Sequence, residues 1–113
     1  MNEYRRKHRR NPDRMIEVHD VMTETVVGRI GNLSETGLLM QADRPLADDA
    51  LYQLRFTLHD ATGQKHALEV GAHQLWSEQS GPHEPRWVGF RFIDISPADA
   101  TRLTEWVEAD NND

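Results

Sequence analysis

Apolar and polar residues alternate along most of the chain, which is the pattern of β-strands with one buried face. The clearest case is residues 51–58, where every second residue is apolar: Tyr52, Leu54, Phe56 and Leu58. The same alternation predicts five more strands, at residues 15–22, 25–33, 37–42, 66–76 and 86–95. Polar segments at 23–24, 43–50, 60–63 and 77–85 separate them as turns and loops. In the strand 66–76, alternation puts four residues on one face: Leu68, Val70, Ala72 and Trp76.

The pattern changes after residue 95 and predicts one helix. Ser96 is suited to the N-cap and Pro97 to the first helical position. Asp99 lies near the positive end of the helix dipole. Four residues then recur at helical spacing and form one apolar stripe: Ala100, Leu103, Trp106 and Val107. Six antiparallel strands followed by one helix predict a small all-β domain, a closed six-stranded barrel with a C-terminal α-helix, because closure removes exposed sheet edges.

The charge of the chain is unevenly distributed. The formal net charge is −6, but residues 1–14 hold six basic and two acidic residues, which leaves −10 for the rest. Residues 1–14 have almost no apolar side chains, so we expect a flexible basic arm before a barrel domain at 15–109, with residues 110–113 as a disordered tail. An acidic body argues against binding DNA, RNA or an anionic membrane, since such binding needs a broad basic surface.

Two further features bear on the cellular compartment. The chain has no Cys, which excludes disulfides and thiolate nucleophiles. It also has no apolar signal core and no apolar run of the roughly 20 residues that a membrane helix needs. We therefore expect a cytoplasmic protein without membrane insertion.

Two short motifs carry the candidate chemistry. The first is the basic run Arg5-Arg6-Lys7-His8-Arg9-Arg10, and the second is Asn32-Leu33-Ser34-Glu35-Thr36-Gly37 between two predicted strands. In an extended chain Asn32 and Ser34 would leave the same face, and Gly37 permits positive φ or a close backbone approach. Such a turn can present an amide, a hydroxyl and backbone N–H groups to the edge of a ligand.

In this order the two motifs resemble the PilZ domain, a bacterial β-barrel receptor for cyclic di-guanosine monophosphate (c-di-GMP). The family's arm motif, two Arg separated by three residues, is matched by Arg6-Lys7-His8-Arg9-Arg10. Its turn motif, Asp or Asn, any residue, Ser, two residues and Gly, is matched by residues 32–37. The segment from Val88 to Ser96 also resembles the family's last strand and its entry into the helix.

The resemblance implies a c-di-GMP site formed by six residues: Arg5, Arg6, Arg10, Asn32, Ser34 and Gly37. Arg5 and Arg9 also stand four apart, but the register Arg6 and Arg10 is preferred, because Arg10-Asn11-Pro12 resembles the family's exit from the motif. In the family, an Arg directly before the motif is associated with binding of the ligand as an intercalated dimer. Arg5 is such a residue. Two further candidate ligand contacts are Arg9 and Trp76. Trp76 is first interpreted as a core or rim residue.

On this interpretation the protein is a receptor or adaptor that changes conformation when c-di-GMP binds, acts on an unidentified downstream protein, and is not an enzyme. It needs no cofactor. One alternative is a PilZ-like interaction module that does not bind the nucleotide, with residues 32–37 an ordinary turn. A nucleic-acid binder that uses the basic arm is another. Neither a metal site at His59, His66 and His73 nor a hydrolase site at Asp48-Asp49 or His83-Glu84 has the required spacing or partners.

Overall fold

The structure, a computed structural model, describes residues 8–109. Arg5 and Arg6 of the predicted arm, and the predicted tail at 110–113, lie outside the described residues. The elements are β1 (Glu17–Asp20), β2 (Thr25–Leu33), β3 (Gly37–Ala42), β4 (Leu51–His59), β5 (Lys65–Gln79), β6 (Arg86–Ile95) and α1 (Pro97–Ala109). Among residues 8–109, no helix is long and apolar enough to cross a membrane.

The six strands form one closed antiparallel barrel in the order β1-β2-β3-β6-β5-β4, with β1 paired to β4. The inward side chains build a single apolar core that includes Val18, Leu33, Phe56 and Val88. The fold class predicted from the alternation is therefore confirmed. The order also brings β3 and β5 to either side of β6, so that residues far apart in sequence become neighbours on the outer wall.

Helix α1 covers the core as predicted. The Ser96 hydroxyl accepts a hydrogen bond from the Asp99 amide at 3.1 Å, which is the expected N-cap geometry. Leu103, Trp106 and Val107 are buried and join the core cluster. The Asp99 carboxylate also accepts a hydrogen bond from the Glu69 amide at 3.1 Å, which ties the first turn of the helix to β5.

The first strand is shorter than residues 15–22. It covers Glu17–Asp20 only, and the next four residues form a turn in which the Glu24 amide donates to the Asp20 carbonyl. Glu24 has a positive φ in this turn, and no sequence pattern predicts that conformation. In contrast, β5 runs on to Gln79 because its last residues pair with the start of β6, so part of the predicted loop 77–85 is strand.

The prediction that Trp76 shares a face with Leu68, Val70 and Ala72 is wrong. Leu68, Val70 and Ala72 are fully buried, but Trp76 is 44% exposed on the outer wall. The reason is a β-bulge between Gln74 and Trp76, where Leu75 is inserted without a partner on β6. One extra residue reverses the alternation, so Gln74 points inward and Trp76 points outward.

Candidate ligand-binding site

The turn between β2 and β3 is held together by Ser34. This residue is fully buried, and its hydroxyl accepts hydrogen bonds from the Thr36 and Gly37 amides, both at 3.2 Å. The Ser34 amide also donates to the Gly37 carbonyl at 2.9 Å. The side chain that sequence reasoning placed beside Asn32 on one face is therefore engaged inside the turn in this conformation.

Gly37 is needed for a close approach between strands. A Cβ at this position would overlap the Phe90 carbonyl oxygen on β6. Gly37 is not among the described residues with positive φ. Of the two reasons considered for a glycine, close backbone approach therefore applies, and the neighbour is β6.

A second β-bulge turns Asn32 outward. Ile30 pairs with Met40 and Asn32 with Leu39, so Gly31 is the extra residue. In a regular strand Ile30 and Asn32 would share one face. Because of the bulge, Ile30 lies in the core while Asn32 is on the outer wall.

Asn32 and Trp76 lie in one row across four strands. The row, defined by successive strand partners, is Asn32 on β2, Leu39 on β3, Gly89 on β6 and Trp76 on β5. Neighbouring strands are about 4.8 Å apart, so the row spans roughly 14 Å between its end Cα atoms. We call the surface formed by these four residues the shelf.

The Trp76 ring lies on the shelf, because Gly89 has no side chain. A Cβ at Gly89 would be 2.6 Å from Trp76 Cε2, which shows that the indole covers this glycine. The ring therefore extends from β5 across β6, toward Leu39 and Asn32. This gives the outer wall a flat aromatic surface in line with a side-chain amide.

The last part of the N-terminal arm joins the end of β2 beside the shelf. The backbones of Arg10 and Leu33 form two hydrogen bonds, at 2.9 and 3.0 Å. Arg9 Nη1 donates to Asn32 Oδ1 at 2.8 Å, and this contact is exposed. The structure thus brings a guanidinium of the basic run to the amide of the turn motif.

Arg10 points away from the shelf, toward the end of α1. Its Nη1 donates to the Trp106 carbonyl at 2.7 Å, and its guanidinium carbon lies 4.0 Å from the centre of the Trp106 ring. The Trp106 carbonyl lies in the last described turn of the helix, so Arg10 joins the arm to this end of α1. The Arg10 side chain, which is only 17% exposed, is therefore occupied by α1 in this conformation.

A cavity of about 620 Å³ lies beyond Arg10, between α1 and the turn after β4. There Asp60 Oδ2 and His66 Nε2 are 2.9 Å apart. The Thr62 hydroxyl donates to Asp60 Oδ1 and, together with His66, holds the pKa of Asp60 far below its ordinary value. Asp60 thus acts as a structural anion that closes its own turn.

Of the other histidines considered at first, His59 lines the same cavity, whereas His73 does not. His73 contacts Asp49 at 2.6 Å on the outer wall, far along β5 from His66. Within residues 8–109, no three His, Cys, Asp or Glu side chains are grouped so that they could hold a metal ion.

Comparison with known proteins assigns the fold to a family. The profile of the PilZ domain family matches residues 4–109, which is nearly the whole chain. The chain belongs to the PilZ domain family. No curated protein sequence matches the chain.

Solved structures agree with this assignment of the PilZ fold. The Bacillus subtilis inhibitor of motility MotI/DgrA superposes with a TM-score of 0.77 at 17% identity, over 96% of this chain and 51% of that protein. The chain thus spans about half the length of that protein. The PilZ domain of YcgR from Escherichia coli, solved with c-di-GMP, gives a TM-score of 0.69 at 17% identity, over 94% and 90% of the two chains. The PilZ domain of CeSA from a cellulose-synthesizing bacterium gives 0.62 at 15% identity, over 93% and 99%.

Sequence reasoning did not single out Leu39 and Gly89 of the shelf. Each is an ordinary strand residue in the sequence, and its importance comes from the strand order, which places β6 between β3 and β5. One signal was available for Gly89. A glycine in the middle of a strand often marks a site where another group approaches the backbone closely.

Proposed function

We propose that this PilZ domain is a non-catalytic receptor for c-di-GMP and that the ligand binds on the shelf under the N-terminal arm. The observation that carries the proposal is the shared row of Asn32 and Trp76. It sets an aromatic surface and a side-chain amide side by side on a rigid sheet. This is the pair of groups that recognises a purine base, through its face and through its edge.

The guanine base supplies the first part of the binding energy. Its face stacks on the Trp76 ring, and its edge accepts and donates hydrogen bonds with the Asn32 amide. Stacking on an aromatic side chain is worth about 1–3 kcal/mol per base. Arg9 already donates to Asn32 Oδ1, so it orients this amide and is itself in position to bind the base or a phosphate.

The phosphates supply the second part through the arginines of the arm. A micromolar dissociation constant corresponds to about −8 kcal/mol, and hydrogen bonds to charged groups contribute about 1.5–3 kcal/mol each. Fixing each backbone residue of the arm opposes binding by about 1–2 kcal/mol. Several arginines are therefore needed, and the proposal assigns this role to Arg6 and Arg10, with Arg5 supporting a second, intercalated ligand molecule.

Ser34 and Gly37 support the site from below in this proposal. Ser34 fixes the turn through its own hydroxyl, and Gly37 lets β3 pack closely on β6. Both residues hold Asn32 in a fixed position. Neither places a side chain on the outer surface of the turn. A direct contact of Ser34 with the ligand would require its hydroxyl to give up bonds within the turn.

Arg10 connects ligand binding to a change of shape. In the structure its guanidinium is bound to α1, and a phosphate on the shelf would compete for it. When Arg10 turns to the ligand, the last turn of α1 loses its hydrogen bond and its ring contact with this guanidinium. A downstream protein would then bind the altered end of α1 together with the ordered arm.

One set of observations favours a second candidate, a PilZ interaction module that does not bind the nucleotide. The Ser34 hydroxyl and the Arg10 guanidinium both have protein partners in the structure. Motif residues that serve only the fold would look the same. The two candidates differ in one property, which is saturable binding of c-di-GMP.

Isothermal titration calorimetry with c-di-GMP tests the proposal. We expect saturable binding by the full chain, with a stoichiometry of two if the ligand binds as an intercalated dimer and one otherwise. Trp76→Ala should weaken binding roughly 5- to 150-fold, the equivalent of one lost base stack.

The matched control is Gln64→Ala, an exposed residue of the turn after β4 and distant from the shelf. It should bind like the parent chain. Absence of saturable binding at high micromolar ligand would reject the receptor proposal and leave the interaction module. Equal binding by Trp76→Ala and the parent would place the ligand away from the shelf.

A further inference from the structure

We propose that Arg91 is a further ligand-binding residue of this site, a guanidinium fixed on the barrel wall that binds a phosphate of the cyclic dinucleotide. The inference rests on the proposed function and adds a residue that neither sequence motif contains. Arg91 lies on β6, next in the outward-facing series after Gly89, about 7 Å further along the strand. It therefore borders the shelf directly.

The strand partners of Arg91 leave its side chain uncovered. On one side it pairs with Gly37, the glycine of the turn motif, which has no side chain. On the other side it pairs with His73, whose Nε2 is engaged with Asp49 at 2.6 Å. Along its own strand the neighbour on the same face is Gly89. Arg91 is accordingly exposed, and its neighbour toward the shelf is the Trp76 indole that covers Gly89.

Arg91 also has no protein partner that would hold its charge. Among the arginines at positions 8–109, only Arg14 and Arg91 form no hydrogen bond or ion pair. The remaining ones have partners, namely Arg9, Arg10, Arg29, Arg44, Arg55, Arg86 and Arg102. In a body with a net charge of −10, an unpaired guanidinium beside the turn motif is positioned to attract an anion.

The chemistry of this position differs from that of the arm. A guanidinium binds phosphate oxygens in a two-point, charge-assisted arrangement. The backbone of Arg91 is already fixed by pairing on both sides, so its contribution is not reduced by the cost of ordering a flexible segment. Arg91 can thus hold a phosphate at the edge of the shelf while the base stacks on Trp76.

The test is calorimetric titration of c-di-GMP into Arg91→Gln and Arg91→Lys. We expect Arg91→Gln to weaken binding roughly 10- to 150-fold, the range for one charge-assisted hydrogen bond. Arg91→Lys should lie between Arg91→Gln and the parent, because it keeps the charge and loses the two-point geometry. The matched control is Arg55→Gln on β4, outside the four strands of the shelf, which removes one guanidinium and changes the net charge equally.

A second readout separates a phosphate contact from a structural effect. The dependence of log Kd on log salt concentration should be shallower for Arg91→Gln than for Arg55→Gln. The free energy of unfolding should be nearly the same for both, since the ion pair of Arg55 with Glu24 is exposed. Equal affinity and equal salt dependence of the two variants, with binding by the parent intact, would overturn the role of Arg91 alone. A parent chain that shows no binding would instead reject the receptor function itself.

Discussion

Arg9 and Arg10 are adjacent in sequence but have different surroundings. Arg9 is exposed and bonded to Asn32, whereas Arg10 is half-buried against Trp106 and bonded to its carbonyl. The backbone of Arg10 pairs with Leu33 at the end of β2, so the arm is extended there. Successive side chains of an extended segment point in opposite directions. A motif defined by spacing alone cannot distinguish these two roles.

Replacing each of these two arginines in turn should separate the roles. Arg10→Ala should lower the free energy of unfolding by about 1.5–3 kcal/mol, because it removes a part-buried, charge-assisted hydrogen bond to α1. Arg9→Ala should leave stability nearly unchanged, since exposed contacts contribute little. Urea denaturation measures both values.

The affinities of the same two variants for c-di-GMP decide the register of the arm motif. With Arg6 and Arg10 in the site, Arg10→Ala weakens binding more than Arg9→Ala does. The reverse order would assign the site to Arg5 and Arg9. Equal stability of the two variants would contradict the contact between Arg10 and α1.

Ser34 and Gly37 show how far the motif could be interpreted from sequence. The sequence predicts a turn at 32–37, which is either a ligand contact or an ordinary turn. The structure shows the second arrangement for Ser34 and a strand contact for Gly37. The burial of Ser34 and Gly37 decides between the two interpretations. Their burial depends on how close β3 comes to β6, which the local sequence does not encode.

The two β-bulges explain what the alternation pattern could and could not predict. It located all six strands, because each has one apolar face that the core requires. It could not predict which way Asn32 and Trp76 face. Strict alternation puts Asn32 on the same face as Ile30 and Trp76 on the same face as Ala72, and Ile30 and Ala72 are core residues. Bulges at Gly31 and Leu75 reverse this and aim both side chains at the outer wall. The shelf therefore exists only in the folded barrel.

The contact between Arg10 and the last turn of α1 predicts a competition with the ligand. Trp106→Leu removes the aromatic face under the guanidinium, a contribution of about 0.5–2 kcal/mol. Arg10 is then more available, so c-di-GMP should bind roughly 2- to 30-fold more tightly. In the parent chain, adding ligand should speed hydrogen exchange of the amides that end α1.

Val107→Ala is the matched control for this competition. Val107 is buried in the same helix turn, so its truncation also destabilises the core, but no described contact joins it to Arg10. It should leave affinity unchanged. If Trp106→Leu and Val107→Ala bind the ligand equally, Arg10 does not exchange between α1 and the ligand.

The whole molecule combines a rigid barrel with a basic arm of opposite charge. The shelf is built on four paired strands, so its groups are held in place before the ligand arrives. The arm carries +4 and the remainder −10. A small dianion can lie between the arm and the few cationic groups of the wall, whereas a long polyanion must also pass along acidic surface.

This charge distribution predicts discrimination against nucleic acids. We expect the full chain to show no saturable binding to a labelled 20-nucleotide single-stranded RNA at 150 mM salt in fluorescence anisotropy, while c-di-GMP still binds. A synthetic peptide of residues 1–14 is the control. It should bind the RNA weakly, with a steep loss of affinity as salt rises, because it has the basic run without the acidic body. Micromolar RNA binding by the full chain with the same steep salt dependence would show that the arm acts independently of the barrel, and would favour the nucleic-acid alternative over a closed site on the shelf.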